Sequence, residues 1–303
     1  MGVARRPADR TKKLNRTMTD AQRSDVTGFY HEPTCSIAYL VADPVTKRAA
    51  IVDPVLDFEP HSGRVSTTSA DHMMSVAAER GLVVDWILDT HPHADHFSAA
   101  AYMKEKLGAP TAIGEKVTEV QKLWQSIYNL PPYTTAYWDR LFKDGESFKI
   151  GSLDVQVMPS PGHTLASVTY VVGDAAFIHD TLFQPDFGTA RTDFPGGNAN
   201  ALYDSILRIL ALPDGTRLFT GHDYRPGGRP AQWEASLAQQ KKNVHLLKAP
   251  DRASFVAMRQ SRDKTLPLPS LMLAALQVNL RGGRLPEPED NGRSYLKIPL
   301  GAF

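Results

Sequence analysis

Short runs of apolar and β-branched residues alternate with longer mixed segments along this chain. The short runs are bounded by Gly, Pro, Asn and Asp, and they predict strands at residues 36–41, 49–52, 83–88, 111–113, 148–150, 153–158, 168–172, 175–179 and 218–220. The longer segments predict helices at residues 69–80, 98–107, 115–128, 198–212, 231–245, 252–259 and 270–280. Ser69 is the expected N-cap of the first helix, and Gly81 follows its end. Strands grouped in hairpins and interrupted by helices predict two packed sheets with helices outside, an α+β fold.

The first 25 residues differ in composition from the rest of the chain. They are rich in Arg and Lys and contain almost no large apolar residue. We expect a disordered basic leader over residues 1–25 and a single domain over residues 26–303. A targeting peptide stays open as an alternative for the leader, because such peptides are basic.

The bulk composition is that of an ordinary globular protein, with 42% apolar and 22% charged residues among 303. The net charge of +1 gives no overall attraction to nucleic acid or to an anionic membrane, so we expect neither as a partner. No segment approaches the roughly 20 apolar residues of a transmembrane helix. Cys35 is the one cysteine, which excludes an internal disulfide and fits a reducing compartment. We interpret Cys35 as a small buried residue at the start of a strand rather than as a nucleophile.

The strongest chemical signal is a cluster of His91, His93, Asp95 and His96 directly after the apolar run at residues 83–88. In an extended segment alternate side chains share a face, so His91 and His93 can enter one pocket while the other two approach it from the following turn. Imidazole and carboxylate groups are natural ligands of zinc and iron. A solvated polar loop is disfavoured, because several unpaired polar groups at a buried strand end would cost a few kcal/mol without an ion. The sequence therefore predicts a metal site.

A motif this short supplies only part of a metal shell, so further ligands should follow other strands. Three side chains satisfy this condition: His163, Asp180 and His222. The remaining histidines have no ligand-like context, and we interpret them as structural: His31, His61, His72, His179 and His245.

The order of these motifs resembles the metallo-β-lactamase superfamily. The matching segments are residues 90–96, 161–164, 180 and 221–224, and the resemblance runs from residue 35 to at least residue 245. It implies a four-layer αββα sandwich. Within the superfamily the chain looks most like the persulfide dioxygenases of the ethylmalonic-encephalopathy-protein type and their bacterial β-lactamase-like relatives. The diagnostic stretch is residues 186–197, while residues 53–57 and 288–299 resemble the bacterial branch.

The resemblance implies one Fe(II) per chain, held by His91, His163 and Asp180, with zinc as a substitute. The other motif residues would orient these ligands and contact water or substrate, or would hold a second metal in a hydrolase: His93, Asp95, His96 and His222. The implied reaction is oxidation of glutathione persulfide with O2 to sulfite and glutathione. The carboxylates of glutathione require cationic and hydroxyl groups, for which we predict Arg191 and Tyr224 first, then Arg225, Arg229 and Lys297.

Two other functions stay open at this point. One is a thioester hydrolase like glyoxalase II, with one or two zinc or iron ions. The other is a non-catalytic persulfide-binding protein, which the intact ligand set disfavours. The partners we consider are a second copy of the chain and a separate rhodanese-type sulfurtransferase. The apolar segment at residues 270–280 is either a dimer face or part of the core, and both alternatives stay open. We expect the cytoplasm of a bacterium or the mitochondrial matrix of a eukaryote.

Overall fold

Strands dominate the first two thirds of the chain, and helices dominate the rest. The structure, a computed structural model, describes residues 23–130 and 132–302. Its strands are β1 (Asp25–His31), β2 (Ser36–Ala42), β3 (Arg48–Val52), β4 (Val55–Glu59), β5 (Arg64–Ser66), β6 (Val83–Leu88), β7 (Phe97–Ser98), β8 (Thr111–Gly114), β9 (Arg140–Phe142), β10 (Ser147–Ile150), β11 (Leu153–Pro159), β12 (Val168–Val172), β13 (Ala175–His179), β14 (Arg217–Thr220) and β15 (Glu234–Ser236). Its helices are α1 (Thr68–Glu79), α2 (Ala100–Leu107), α3 (Val117–Tyr128), α4 (Ala199–Leu210), α5 (Leu237–Gln240), α6 (Val244–Lys248), α7 (Arg252–Asp263) and α8 (Met272–Asn279).

The strands form two six-stranded sheets and one small sheet. The first large sheet has the order β1-β2-β3-β6-β8-β9, and the second has the order β10-β11-β12-β13-β14-β15. The hairpin predicted between the second and third strands is present, with Tyr39 opposite Val52. Both large sheets mix pairings: β3, β6, β8 and β9 run parallel to one another, as do β13 and β14. The small sheet has the order β5-β4-β7.

Apolar side chains from the inner faces of both large sheets form the central core. Val41 and Val52 of the first sheet pack in one cluster with Val155, Tyr170 and Phe177 of the second. On the outer side of the first sheet lie α1, α2 and α8, and on the outer side of the second lie α4, α5 and α7. Burial of these apolar faces removes them from water and stabilises the stack. The four-layer αββα sandwich is therefore confirmed.

Several predicted element boundaries are wrong. The helix predicted over residues 231–245 is instead β15, α5 and the start of α6, because Ser236 and Asn243 act as N-caps that each begin a new helix. Ser69 is not an N-cap, since α1 begins at Thr68 and the Ser69 hydroxyl donates to Asp57 Oδ1 at 2.6 Å. The predicted helix at residues 98–107 begins at Ala100, after β7.

The predicted leader overlaps the fold at its end. β1 begins at Asp25, and the Ser24 main chain and hydroxyl donate to Asp174 Oδ1 at 2.8 and 3.0 Å. Residues 1–22, the rest of the predicted leader, lie outside the described residues. Among helices in residues 23–130 and 132–302, none has the length and apolarity needed to cross a bilayer.

Candidate metal centre

Three loops at one edge of the sandwich bring His91, His163 and Asp180 together. Each loop follows a strand, namely β6, β11 or β13. One ligand atom from each residue lies within 4.8 Å of the other two, and each side chain is at least nine-tenths buried. Residues 72 and 17 positions apart in sequence thus share one small volume, as the sequence predicted. We call these three residues the metal triad.

The hydrogen bonds of the triad aim free lone pairs at this volume. The Thr90 hydroxyl donates to Asp53 Oδ2 at 2.7 Å, so its oxygen accepts from His91 Nδ1 at 3.0 Å. His163 Nδ1 donates to the Arg191 carbonyl at 2.9 Å. Both rings therefore keep a lone pair on Nε2, and partner groups of this kind fix the tautomer of metal-binding histidines.

Buried atoms of the triad also lack partners. His91 Nε2 and Asp180 Oδ1 have no hydrogen-bond partner. A buried acceptor without a donor costs free energy, and a cation bound between these atoms would remove the cost. Gly221 makes room for this arrangement, because a Cβ there would meet Asp180 Oδ1 at 2.6 Å. The residues therefore fit a metal ion held by two imidazoles and one carboxylate.

His93 is not a member of the triad, although its ring centroid lies 4.1 Å from that of His91, and it pairs with Asp53. His93 Nε2 lies 3.0 Å from Asp53 Oδ1, and the alignment makes this contact an ion pair rather than a hydrogen bond. Burial lowers the pKa of His93, but Asp53 outweighs this effect and raises that pKa to about 9. Asp53 also accepts hydrogen bonds from the Thr90 amide and hydroxyl, both at 2.7 Å. Sequence analysis did not assign Asp53 a role, although it directly follows a buried strand.

Asp95, His96 and His222 form a second cluster beside the triad. His96 Nδ1 lies 2.9 Å from Asp95 Oδ2, and His222 Nε2 lies 3.4 Å from the same oxygen and 3.5 Å from Asp180 Oδ2. Burial raises the pKa of the Asp95 carboxyl, but His222 and His96 outweigh it and hold that pKa well below its usual range. Asp180 and Asp95 likewise overcome burial and raise the pKa of His222 to about 10. This cluster compensates its own charges, and Asp95 and His96 form with His93 a second group whose ligand atoms lie within 4.8 Å of one another and could hold a cation.

The histidines that we interpreted as structural are not part of the triad. The buried His179 ring lies 5.2 Å from the His91 ring, and burial lowers the pKa of His179 to about 3, so the ring is neutral packing material. His31 Nε2 lies 3.3 Å from Asp57 Oδ1. His245 Nδ1 accepts a hydrogen bond from the Thr189 amide at 3.0 Å.

A cavity of about 660 Å³ opens onto the metal centre and has two dissimilar walls. We call the first the metal-side wall; its members are Asp95, His163, Asp180 and His222. We call the second the helical wall; its members are Thr189, Arg259, Arg262 and residues 266–271. The cavity is also lined by Cys35, by aromatic residues such as Phe183, Phe187 and Tyr224, and by Arg191. Cys35 precedes β2 and is half-buried, so its interpretation as a buried residue at the start of a strand is wrong.

The structure places two of the five predicted substrate-binding residues at this cavity. Tyr224 is 42% exposed, and its ring stacks on His222 at 5.3 Å between centroids. Arg191 lines the cavity, but its guanidinium donates to both oxygens of Asp193 at 2.7 and 2.8 Å and to the Pro267 carbonyl at 2.6 Å. Its charge is thus already neutralised, so Arg191 shapes the wall more than it attracts an anion.

The three weaker candidates do not line the cavity, and each has another partner. Arg225 pairs with Glu32. Arg229 donates to Asp186 and to the buried Asp223 at 2.6 to 2.9 Å. Lys297 donates to the Asn129 carbonyl at 3.1 Å. Each of these cations is bound outside the cavity by a carboxylate or a carbonyl group of another segment. The sequence did not reveal these contacts.

Sequence analysis missed two cationic residues that do line the cavity, Arg259 and Arg262. Arg259 is 1% exposed, pairs with Asp263 and donates to the Thr189 carbonyl at 2.9 Å, while its Nε has no partner. Arg262 is exposed and forms no ion pair with any other described residue. Their spacing of three places them on one face of α7. The sequence shows this spacing, but the spacing alone does not indicate that α7 covers the site.

A histidine and aspartate metal centre at the edge of an αββα sandwich defines a class of metalloprotein. The chain belongs to the metallo-beta-lactamase superfamily, whose family model matches residues 37–222. The Beta-lactamase hydrolase-like protein of Xylella fastidiosa is 61% identical over 285 residues, which cover 93% of this chain and 66% of that protein. The chain therefore spans just under two thirds of the length of that relative.

More distant relatives carry more specific names. Glyoxylase B2 of Dictyostelium discoideum is 45% identical over 86% of this chain and 91% of its own length. The mitochondrial persulfide dioxygenase ETHE1 of Bos taurus is 28% identical over 65% of this chain and 67% of its own length. The crystal structure of ETHE1 from Myxococcus xanthus is 28% identical, covers 86% of this chain and all of that chain, and superposes with a TM-score of 0.69. These findings support the resemblance to the persulfide dioxygenase branch.

Proposed function

We propose that this protein is a persulfide dioxygenase that oxidises glutathione persulfide with O2 to sulfite and glutathione and uses one Fe(II) per chain. The observation that carries the proposal is the metal triad of His91, His163 and Asp180, whose ligand atoms lie within 4.8 Å of one another. Two histidines and one carboxylate with open positions are typical of mononuclear non-haem iron oxygenases. Iron in this site would supply the redox chemistry that the oxidation of sulfur requires and that zinc lacks.

The protein residues around the triad would bind and position the persulfide. The cavity of about 660 Å³ is large enough for a tripeptide thiol. Arg262 would contact its carboxylates, since charge-assisted hydrogen bonds to carboxylate are strong. Phe183, Phe187 and Tyr224 would exclude water from the sulfur end. The relatives named ETHE1 support a persulfide as the substrate.

Metal exchange on a single preparation tests the proposal. Protein purified without metal and loaded anaerobically with Fe(II) should consume O2 and form sulfite when glutathione persulfide is added. The same protein loaded with Zn²⁺ is the matched control, and it should do neither. Absence of O2 uptake from the iron-loaded protein would contradict the dioxygenase.

A thioester hydrolase like glyoxalase II is the second candidate. Asp95, His96 and His222 lie beside the triad and could hold a second metal ion, and the relative named Glyoxylase B2 is 45% identical. Release of free thiol from S-lactoylglutathione in the absence of O2 would favour this function. A persulfide-binding protein without activity would give neither product.

Three further expectations stay predictions. They are a homodimer, a separate rhodanese-type sulfurtransferase that supplies the persulfide, and a location in the bacterial cytoplasm or the mitochondrial matrix. None of them follows from the geometry of the site.

A further inference from the structure

Asn279, the last residue of α8, connects this helix to residues 91–96, which we call the metal-binding loop. Its Nδ2 donates to the carbonyl oxygens of His93 and His96, both at 2.7 Å, and its Oδ1 accepts from the Ser98 amide at 2.8 Å. Two carbonyl oxygens facing the nitrogen and one N–H facing the oxygen fix the orientation of the side-chain amide. Asn279 is 2% exposed, so water does not compete for these hydrogen bonds.

The main chain of the metal-binding loop depends on this one side chain. The loop lies between β6 and β7 and carries His91 of the metal triad. Among the hydrogen bonds within residues 23–130 and 132–302, only those from Asn279 reach the main chain of the loop. Buried carbonyl groups normally have a hydrogen-bond partner, and a loop outside a sheet must obtain it from side chains or water. The conformation of the loop is therefore coupled to α8.

The end of α8 is itself held in place. Gln121 of α3 is 4% exposed, and its Nε2 donates to the Leu280 carbonyl at 2.8 Å, directly after Asn279. Gly283 lies so close to the chain at Ser98 that a Cβ there would meet the Ser98 carbonyl oxygen at 2.5 Å. These contacts fix the main chain on both sides of the amide group, so Asn279 is presented to the loop from a rigid support.

We propose that Asn279 is a positioning residue of the metal centre, which holds the metal-binding loop so that His91 lies beside His163 and Asp180. The inference rests on the metal centre of the proposed function but not on its reaction. Without the Asn279 amide, the buried carbonyls of the loop lose their donors, and the loop must move to find others. Groups that orient metal ligands typically contribute 10- to 100-fold to the affinity for the metal. Asn279 would act in this way although it contacts no ligand atom.

Binding of Co²⁺ to the metal-free protein tests this role without persulfide or O2. The dissociation constant is measured by competition with a chelator, and the visible absorption of the bound Co²⁺ reports the arrangement of its ligands. Asn279→Ala should bind Co²⁺ roughly 10- to 100-fold more weakly than the native protein, and its visible spectrum should change. Native affinity together with a native spectrum would overturn the inference.

Gln121→Ala is the matched control. It also removes a buried side-chain amide that bonds to the end of α8, but Gln121 donates to Leu280 and not to the metal-binding loop. Both variants should lower the urea midpoint of the metal-free protein, whereas only Asn279→Ala should change the affinity for Co²⁺ and the spectrum. Equal loss of affinity in the two variants would assign the effect to general destabilisation and would overturn the positioning role.

Asn279→Asp is a second variant that keeps the size of the side chain. Its carboxylate can still accept from the Ser98 amide, but it places an oxygen against the carbonyls of His93 and His96. We expect a loss of Co²⁺ affinity at least as large as in Asn279→Ala, and native binding would contradict the inference even if Asn279→Ala does not fold.

Activity of the native protein separates this inference from the proposed function. Weak binding of Co²⁺ by the Asn279 variants, with no O2 uptake by the native protein loaded with Fe(II), would support the inference and contradict the dioxygenase. Sulfite formation by the native protein, with native Co²⁺ binding in the Asn279 variants, would contradict the inference alone.

Discussion

The two walls of the cavity differ in the elements that form them and in the charge of their side chains. The metal-side wall comes from loops at strand ends and presents imidazole nitrogens and carboxylate oxygens, as at His163 and Asp180. The helical wall comes from α7 and the segment after it and presents guanidinium groups beside Leu and Pro side chains. One wall suits a cation, and the other suits the anionic, partly apolar body of a thiol carrier. In the proposed function, this difference would separate the chemistry at the metal from the recognition of the thiol carrier.

The two ligand clusters of the metal centre also differ. The carboxylate of the triad, Asp180, has an Oδ1 without a hydrogen-bond partner, whereas the Asp95 carboxylate is flanked by His96 and His222. A mononuclear iron enzyme needs the first cluster to bind metal and needs the second only for orientation. A dinuclear hydrolase needs both equally.

The largest expected effect is the loss of metal from His163→Ala. The change removes a ligand of the triad, and we expect the loss of stoichiometric iron and at least a 100-fold loss of O2 uptake, beyond the roughly 10- to 100-fold effect of changes around metal ligands. His96→Ala is the matched variant and should keep one iron per chain with lower activity. Metal analysis and sulfite formation measure both. Equal loss of metal from both variants would contradict the mononuclear assignment and favour the hydrolase.

The next largest effect concerns the support of the helical wall. Asp263 pairs with the buried Arg259 and accepts from the Thr192 amide and hydroxyl at 2.9 and 3.0 Å. Asp263→Ala leaves a buried guanidinium unpaired, so we expect the free energy of unfolding to fall by about 3–5 kcal/mol. Urea unfolding of the metal-free protein measures this change.

An exposed ion pair provides the control for that variant. Asp154 pairs with Lys149 at 2.6 Å, with both side chains more than half exposed. Asp154→Ala should change the free energy of unfolding by less than about 1 kcal/mol. A similar small change for Asp263→Ala would show that the helical wall does not depend on its buried pair.

A third, smaller effect is a pH dependence that originates at His245. Burial, with a contribution from Arg259, lowers the pKa of His245 from 6.5 to about 4. The unfolded chain then takes up a proton at higher pH than the native one, so the stabilisation is complete above pH 6.5 and is lost as the pH falls toward 4. The loss is at most about 3 kcal/mol. A proton on His245 Nδ1 would also break the hydrogen bond that this nitrogen accepts from the Thr189 amide. Because Thr189 lines the cavity, KM should rise over the same pH range.

Replacement of the ring isolates this contribution. His245→Asn keeps an acceptor for Thr189 but does not titrate, so its free energy of unfolding should depend less on pH between 4 and 6.5. Parallel pH profiles of the native protein and this variant would assign the acid sensitivity to another group.

The two walls also differ in how far the sequence predicts them. The ligands of the metal centre could be predicted from the sequence because they are rare residue types in loops that follow strands, as at His91, His163 and Asp180. The position of His93 was predicted only in part. Its ring lies beside that of His91, with 4.1 Å between the centroids, but its Nε2 pairs with Asp53, which follows another strand. Alternation along an extended segment predicted that both histidines would share one pocket.

The helical wall could not be predicted from the sequence because it depends on tertiary packing. An Arg on a helix is usually exposed, and only the packing of α7 buries Arg259 and leaves Arg262 at the cavity. The prediction that Arg225 and Arg229 bind substrate failed for a related reason. Arg225 and Arg229 are near the site in sequence, but they pair with carboxylates that come from other segments.

The smallest expected effect, and the most direct test of the separation between walls, comes from Arg262→Ala. Arg262 has no ion pair with other described residues, so its loss should leave folding and kcat unchanged and should raise KM for glutathione persulfide roughly tenfold, the loss of one charge-assisted hydrogen bond. Arg262→Lys should recover part of the loss. Arg252→Ala is the control, because this residue lies on the same helix, pairs with Asp204 and does not line the cavity. If Arg262→Ala lowers kcat and leaves KM unchanged, the helical wall acts in the chemistry and the two walls are not separate.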